Sequence, residues 1–137
     1  MTINPVETAS KIERVELSGM TIEALAPEPG SLRFVFRGEY DEDSFDAIEV
    51  ELDRLVSSLC NGTLRVLDMH FEQVVDLSST VMGFFGAWIH EARNRAKQIR
   101  LHYRTNNAWE RGFSLILRSV SKLASGDGGS VELCPEP

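Results

Sequence analysis

Three consecutive hydroxyl residues, Ser78-Ser79-Thr80, follow the acid Asp76 and precede an apolar run that begins at Val81. Hydroxyl groups in such a setting suit three kinds of chemistry. They can cap a helix start, act as nucleophiles beside a histidine, or accept a phosphoryl group that adds charge. The rest of the sequence favours some of these uses over others.

Nucleophilic catalysis is the use that the sequence supports least. The chain has three histidines, His70, His90 and His102. None has a spacing that ties it to Ser78, and the Gly-x-Ser-x-Gly elbow of many serine hydrolases is absent from the sequence. We therefore predict that the protein is not an enzyme. A small hydrolase that uses Asp41, Asp76 and a serine is the least favoured alternative.

Metal and cofactor motifs are also missing from the sequence. Neither the histidines nor the cysteines, Cys60 and Cys134, show the paired spacing of metal ligands. The glycines near the C-terminus follow the last predicted helix, whereas a phosphate cradle opens one. We therefore predict no metal and no cofactor.

Charge and hydropathy limit the partners. The 137 residues carry a formal net charge of −7, which argues against nucleic acid or an anionic membrane surface. No apolar run approaches the roughly 20 residues that span a bilayer, and the N-terminus does not resemble a secretory signal. The prediction is a cytoplasmic protein that binds neither nucleic acid nor a membrane.

The length of the chain predicts one domain, residues 15–137, and the polar N-terminal segment, residues 1–14, is expected to be loose. The predicted strands are 20–26, 31–36, 63–69, 99–103 and a possible edge strand 131–134. The predicted helices are 44–59 with Ser44 as N-cap, 81–96, and 108–120, which is expected to be broken or strained near Gly112. Strands that alternate with helices predict an α/β fold with a mixed, mainly parallel sheet of four to five strands covered by helices.

Two stretches resemble the signature of the STAS domain family. In FRGEYDEDSF, residues 36–45, the family's Gly-Glu-Leu-Asp stands as Gly38-Glu39-Tyr40-Asp41, and Ser44 takes the place of its helix cap. In residues 66–79, Val66-Leu67-Asp68-Met69 is followed by Val74-Val75-Asp76-Leu77-Ser78-Ser79. This is similar to the family's strand ending in Asp-Leu and its Asp-Ser-Ser-Gly at a helix start. The resemblance covers residues 20–123.

The resemblance implies a fold and a function. The fold is a STAS-like mixed sheet with helices packed mainly on one side. The implied function is that of an anti-sigma factor antagonist, a bacterial transcription regulator that switches between protein partners. In the anti-sigma factor antagonists of this family, the partner is an anti-sigma factor that is also a serine kinase. It phosphorylates a serine or threonine at the start of the second main helix, and this breaks the complex between antagonist and anti-sigma factor. A phosphorylation-independent STAS scaffold or transport-accessory module is the alternative, and a homodimer is compatible with either.

The same resemblance selects candidate site residues. Counting from Asp76 makes Ser78 the phosphorylated residue, whereas alignment of the apolar helix residues selects Ser79, which we favour. Thr80 stands where the family has glycine. We expect the carboxylates of Asp76 and Asp41 to lie near the same edge and to repel an added phosphate. A helix cap remains the alternative explanation for the hydroxyl cluster.

Small residues on the second helix predict a docking surface. Thr80, Gly83, Gly86 and Ala87 would let a partner approach closely, which would account for two glycines inside a helix. Close packing within the domain is the alternative explanation for the glycines.

Overall fold

The structure, a computed structural model, describes residues 11–17, 19–40, 45–60, 64–123 and 128–136. Within these ranges, six strands and three helices follow one another. They are β1 Lys11–Leu17, β2 Met20–Ala26, β3 Ser31–Tyr40, α1 Phe45–Leu59, β4 Leu64–Leu77, α2 Ser79–Ala92, β5 Ala96–Arg104, α3 Ala108–Leu123 and β6 Ser130–Glu136.

All six strands form one sheet in the order β1-β2-β3-β4-β5-β6. The first two pairs are antiparallel, and the three pairs from β3 to β6 are parallel. The predicted mixed α/β sheet with three helices is therefore confirmed. The predicted number of four to five strands is wrong, because β1 adds a further antiparallel strand at one edge.

Strand β1 begins at Lys11, within the segment that the sequence pattern assigns to a loose terminus. Val15 and Leu17 pack against the core, and Glu13 lies on the same face of the strand. The Arg54 guanidinium of α1 donates to the Glu13 carboxylate at 2.8 Å and holds the pKa of that carboxyl below its usual value. Glu13, an acid on the side of the sheet that the helices cover, is thus paired with Arg54, which is far away in sequence.

The helices cover one face of the sheet, where a cluster of aromatic rings forms the centre of the core. The rings of Phe36 and Phe71, from β3 and β4, stack at a centroid distance of 4.9 Å. Phe85 of α2 meets both rings edge-on, and Phe113 of α3 meets Phe71 edge-on. Helices α2 and α3 therefore pack on the same face of the sheet.

The pairing of strands β3 and β4 is interrupted by a β-bulge at two places. The register shifts between Val35 and Arg37 and again between Gly38 and Glu39, and β4 has one extra residue at each shift. Gly38 has φ +94°, and a Cβ there would overlap the carbonyl oxygen of Gly19. Because pairing continues past these bulges, β4 extends to Leu77 rather than ending at the predicted residue 69.

Helix α3 is continuous, so the predicted break near Gly112 is wrong. The start of this helix is fixed by a reciprocal capping box. Asn107 Oδ1 accepts from the Glu110 backbone N–H at 3.0 Å, and Glu110 Oε1 accepts from the backbone N–H groups of Asn106 and Asn107. None of the described helices is long and apolar enough to cross a membrane.

Candidate functional site

Ser78 is the N-cap of α2 and joins this helix to the end of β3. Its Oγ accepts a hydrogen bond from the Val81 backbone N–H at 3.3 Å. Its own backbone N–H donates to the Tyr40 carbonyl oxygen at 2.9 Å. Among the three hydroxyl residues, Ser78 is therefore the one that caps the helix.

Ser79 and Thr80 are the first two residues of α2, and both are exposed. Within the described ranges, the Ser79 hydroxyl has no hydrogen-bond partner. The first turn of α2 carries no acidic residue, whereas Asp46 and Glu110 occupy the first turns of α1 and α3. The partial positive charge of this helix start is therefore not offset by an acid of its own first turn.

Two acids lie beside the start of α2. Asp76 is exposed and pairs in register with Glu39, which is also exposed, on the neighbouring strand. Glu39 belongs to the Gly-Glu-Tyr-Asp stretch but was not predicted as a site residue. The parallel pairing of the two strand ends is what brings it next to Asp76. The predicted site acid Asp41 and the predicted cap Ser44 lie outside the described residues.

The four predicted docking residues separate into two groups. Thr80, Gly83 and Ala87 are exposed, and a Cβ added at Gly83 would meet nothing within 4 Å. Gly86 is buried against α3, where a Cβ would lie 2.8 Å from Ile116 Cγ2. Close packing within the domain therefore accounts for Gly86, which does not line the exposed face.

A groove between α1 and α2 borders this exposed face. It encloses about 490 Å³ and includes Ala87 in its lining. Its other lining residues are Glu49, Asp53, Phe84, Trp88, Glu91, Ala92 and Arg95. The Trp88 indole N–H donates to Asp53 Oδ1 at 3.2 Å and thereby links the two helices. The groove thus combines an apolar floor with three acids and one arginine.

The histidines are not part of this site. His70 and His102 lie on the face of the sheet opposite the described helices, where their ring nitrogens contact the carboxylates of Glu72 and Asp68. His90 is exposed on α2. Among the described residues no histidine is hydrogen-bonded to Ser78 or Ser79.

The sequence matches no protein-family model and no curated protein. Its structure is similar to that of SiaC of Pseudomonas aeruginosa, with a TM-score of 0.54 and 16% sequence identity over 92% of this chain and 99% of SiaC. The chain has the fold of SiaC.

At 16% identity the match with SiaC concerns the fold alone. A second structure is described as an uncharacterized protein from the DUF3478 family with a SpoIIAA-like fold, from Shewanella loihica PV-4. It is 9% identical over 91% of this chain and 84% of its own, and its TM-score of 0.47 is too low to carry an argument. The structure has the mixed sheet with helices that the resemblance to STAS domains implies, with six strands instead of the four to five expected.

Proposed function

We propose that this chain is a cytoplasmic, non-catalytic STAS-type interaction domain that works as an anti-sigma factor antagonist or a related partner-switching regulator. Phosphorylation of a serine at the start of α2 controls it, and its partner is an anti-sigma factor that is also a serine kinase. The observation that carries the proposal is the position of Ser79. It is exposed at the first turn of a helix whose inner face belongs to the core.

The hydrogen bonds favour Ser79 over Ser78 as the phosphate acceptor. Ser78 Oγ already accepts the Val81 N–H, and modification there would disturb the helix cap. Ser79 can receive a phosphoryl group without breaking a described hydrogen bond. A charge of about −1.5 to −2 at this position is compatible with the positive end of the helix, so the fold tolerates it.

The neighbouring acids explain why such a charge would change binding. Asp76 and Glu39 already make this edge negative. A phosphate on Ser79 adds to that charge on the same edge, beside the exposed face of Thr80, Gly83 and Ala87. Binding of a partner that places an acid or an apolar group there is weakened by repulsion and desolvation. The switch is then a change of surface charge with the fold retained.

The groove between α1 and α2 indicates what the partner offers. Its floor includes Phe84 and Trp88, each 8% exposed, and its acids are Glu49, Asp53 and Glu91. An amphipathic helix of the partner with apolar residues on one side and basic residues at its border is complementary to this groove.

The first experiment is capture of the partner from extracts of the source cell with variants of the chain as bait. Wild type and Ser79→Gln are expected to retain the same kinase-related partner, and Ser79→Glu to lose it. Ser79→Gln is the matched control because it has the size of the glutamate without its charge. Equal capture by both variants would favour the phosphorylation-independent scaffold.

A second experiment locates the phosphate. After incubation with the captured kinase and ATP, peptide mass spectrometry is expected to find the modification on Ser79. Phosphate that appears nowhere in residues 76–80 would contradict the switch.

Docking at the groove is tested separately. Ala87→Arg places a long cation in the groove and is expected to weaken partner binding at least about tenfold, since blocking the centre of an interface is costly. Leu115→Arg is the control, because Leu115 is 60% exposed on α3, away from the groove. Equal effects of the two arginines would argue against this docking surface.

A further inference from the structure

Three metal-ligating side chains meet on the face of the sheet opposite the described helices. Asp68 and His70 point to this face from β4, and His102 points to it from β5, directly opposite His70 in the register. The two imidazole rings stack at a centroid distance of 4.0 Å with 3° between their planes. One ligand atom from each of the three residues lies within 4.8 Å of the others.

The surroundings of these residues resemble those of metal ligands. His102 Nε2 is 2.9 Å from Asp68 Oδ1, and His70 Nδ1 is 3.1 Å from Glu72 Oε1. On His70, the Glu72 carboxylate at Nδ1 fixes the orientation of the imidazole and leaves Nε2 for an ion. On His102, the contact with Asp68 brings two possible ligand atoms together. Both histidine side chains are 24% exposed and the Asp68 side chain is 12% exposed, so the cluster is shielded but reachable from solvent.

We propose that Asp68, His70 and His102 bind a divalent transition-metal ion of the Zn²⁺ class. Two imidazoles, one carboxylate and a water molecule form a common ligand set for such ions. The ion takes the place of the proton between His102 Nε2 and Asp68 Oδ1, and the Nε2 atom of His70 is its third protein ligand. Glu72 then orients His70 through Nδ1 without contacting the ion.

The geometry requires only a small adjustment. Zn–N distances of about 2.0–2.1 Å place the ligands of a tetrahedral ion roughly 3.3 Å apart. The 2.9 Å between Asp68 Oδ1 and His102 Nε2 is already close to that spacing. The parallel rings must tilt toward each other, which two partly exposed side chains can do by rotation about their χ angles.

Arg100 is the competitor of the ion. Its Nη2 donates to Asp68 Oδ2 at 3.0 Å. Its Nε lies 2.9 Å from Asp68 Oδ1, yet this buried nitrogen lacks an aligned acceptor within the described chain. Arg33 stands opposite Asp68 on β3 and adds a second positive charge, whereas Glu72 and Glu132 add negative charge. Because the Arg100 side chain is 41% exposed, it can move into solvent when an ion binds.

Because Arg100 and the ion compete for Asp68, the histidine variants and the Arg100 variant are expected to change the affinity for Zn²⁺ in opposite directions. Binding of Zn²⁺ to the tag-free chain is measured by isothermal titration calorimetry at neutral pH, and Co²⁺ absorption reports the coordination number. His70→Gln and His102→Gln are each expected to lower the affinity at least about tenfold. Arg100→Gln is expected to raise it, since it removes both a competitor for Asp68 and a positive charge.

His90→Gln is the matched control, because His90 is exposed on α2 and lies outside the cluster. Its affinity for Zn²⁺ should equal that of wild type. Thermal unfolding with and without Zn²⁺ provides a second measurement, in which the ion raises the midpoint of wild type but not of the His70→Gln/His102→Gln double variant. Equal affinity of wild type and the double variant, or a loss in His90→Gln, would overturn the site.

Discussion

At the scale of single residues, the two neighbouring serines at the start of α2 have different tasks. Ser78 caps the helix through its Oγ, and Ser79 is exposed one residue later. We expect Ser78→Ala to lower the free energy of unfolding by about 0.5–2 kcal/mol, because the Val81 N–H loses its acceptor. Ser79→Ala should change it by less than about 0.5 kcal/mol.

Urea unfolding followed by tryptophan fluorescence measures both values. Ser78→Asp serves as the control, because its carboxylate oxygen can also cap a helix, and it should retain most of the stability. If Ser79→Ala proved the more destabilising of the two alanine variants, the assignment of the cap to Ser78 would be wrong.

At the scale of elements, α2 depends on one glycine for its contact with α3. Gly86→Ala places a methyl group 2.8 Å from Ile116 Cγ2, and Ile is stiff about χ1. We expect a loss of about 1–3 kcal/mol in stability from overpacking. Gly83→Ala has open space and should gain about 0.5–1 kcal/mol from helix propensity. Thermal or urea unfolding of the two variants compares the sites directly, and equal effects would contradict the packing role of Gly86.

The bulged pairing of β3 and β4 depends on Gly38. Alanine there meets both a positive φ and the Gly19 carbonyl oxygen, so we expect a loss of about 2–4 kcal/mol in the free energy of unfolding. Gly112→Ala is the control, since nothing lies within 4 Å of its added Cβ and the helix there is regular. Urea unfolding tests both variants. A Gly38→Ala variant as stable as wild type would show that the backbone can avoid this conformation.

The sequence predicts the elements well where one face is plainly apolar, and less well elsewhere. Strand β1 was missed because its core-facing side includes Glu13, whose partner Arg54 is 41 residues away. The second half of β4 was missed because two bulges interrupt its alternation. Neither a distant ion pair nor a bulge changes the local periodicity in a recognisable way.

The candidate site could be predicted where its residues lie close together in the sequence. Ser78, Ser79 and Asp76 lie close together in sequence, and their placement at a helix start follows from capping preferences. Glu39 and the cluster of Asp68, His70 and His102 arise from pairing between strands, which spacing along the chain does not reveal. The Asp-x-His alternation of β4 was the available signal, since residues two apart on a strand share a face.

At the scale of the whole molecule, one aromatic core connects the sheet with the helices. Phe36, Phe71 and Phe85 form its centre, and Tyr40 closes the end that adjoins α2. The Tyr40 hydroxyl donates to the Thr21 carbonyl oxygen at 2.7 Å. Because Tyr40 is only 2% exposed, the charged form of its hydroxyl is disfavoured in the folded protein.

Tyr40 therefore gives global stability a defined dependence on alkaline pH. Burial raises its pKa above the value of about 10 for the unfolded chain. Below that pH both states bind the proton and stability is unaffected. Above it the unfolded chain releases the proton first, so stability falls as pH rises. We expect wild type to lose about 1.4 kcal/mol more than Tyr40→Phe between neutral pH and pH ~11. Urea unfolding over this range measures the difference, and parallel pH profiles would mean that Tyr40 ionises as readily in the folded protein.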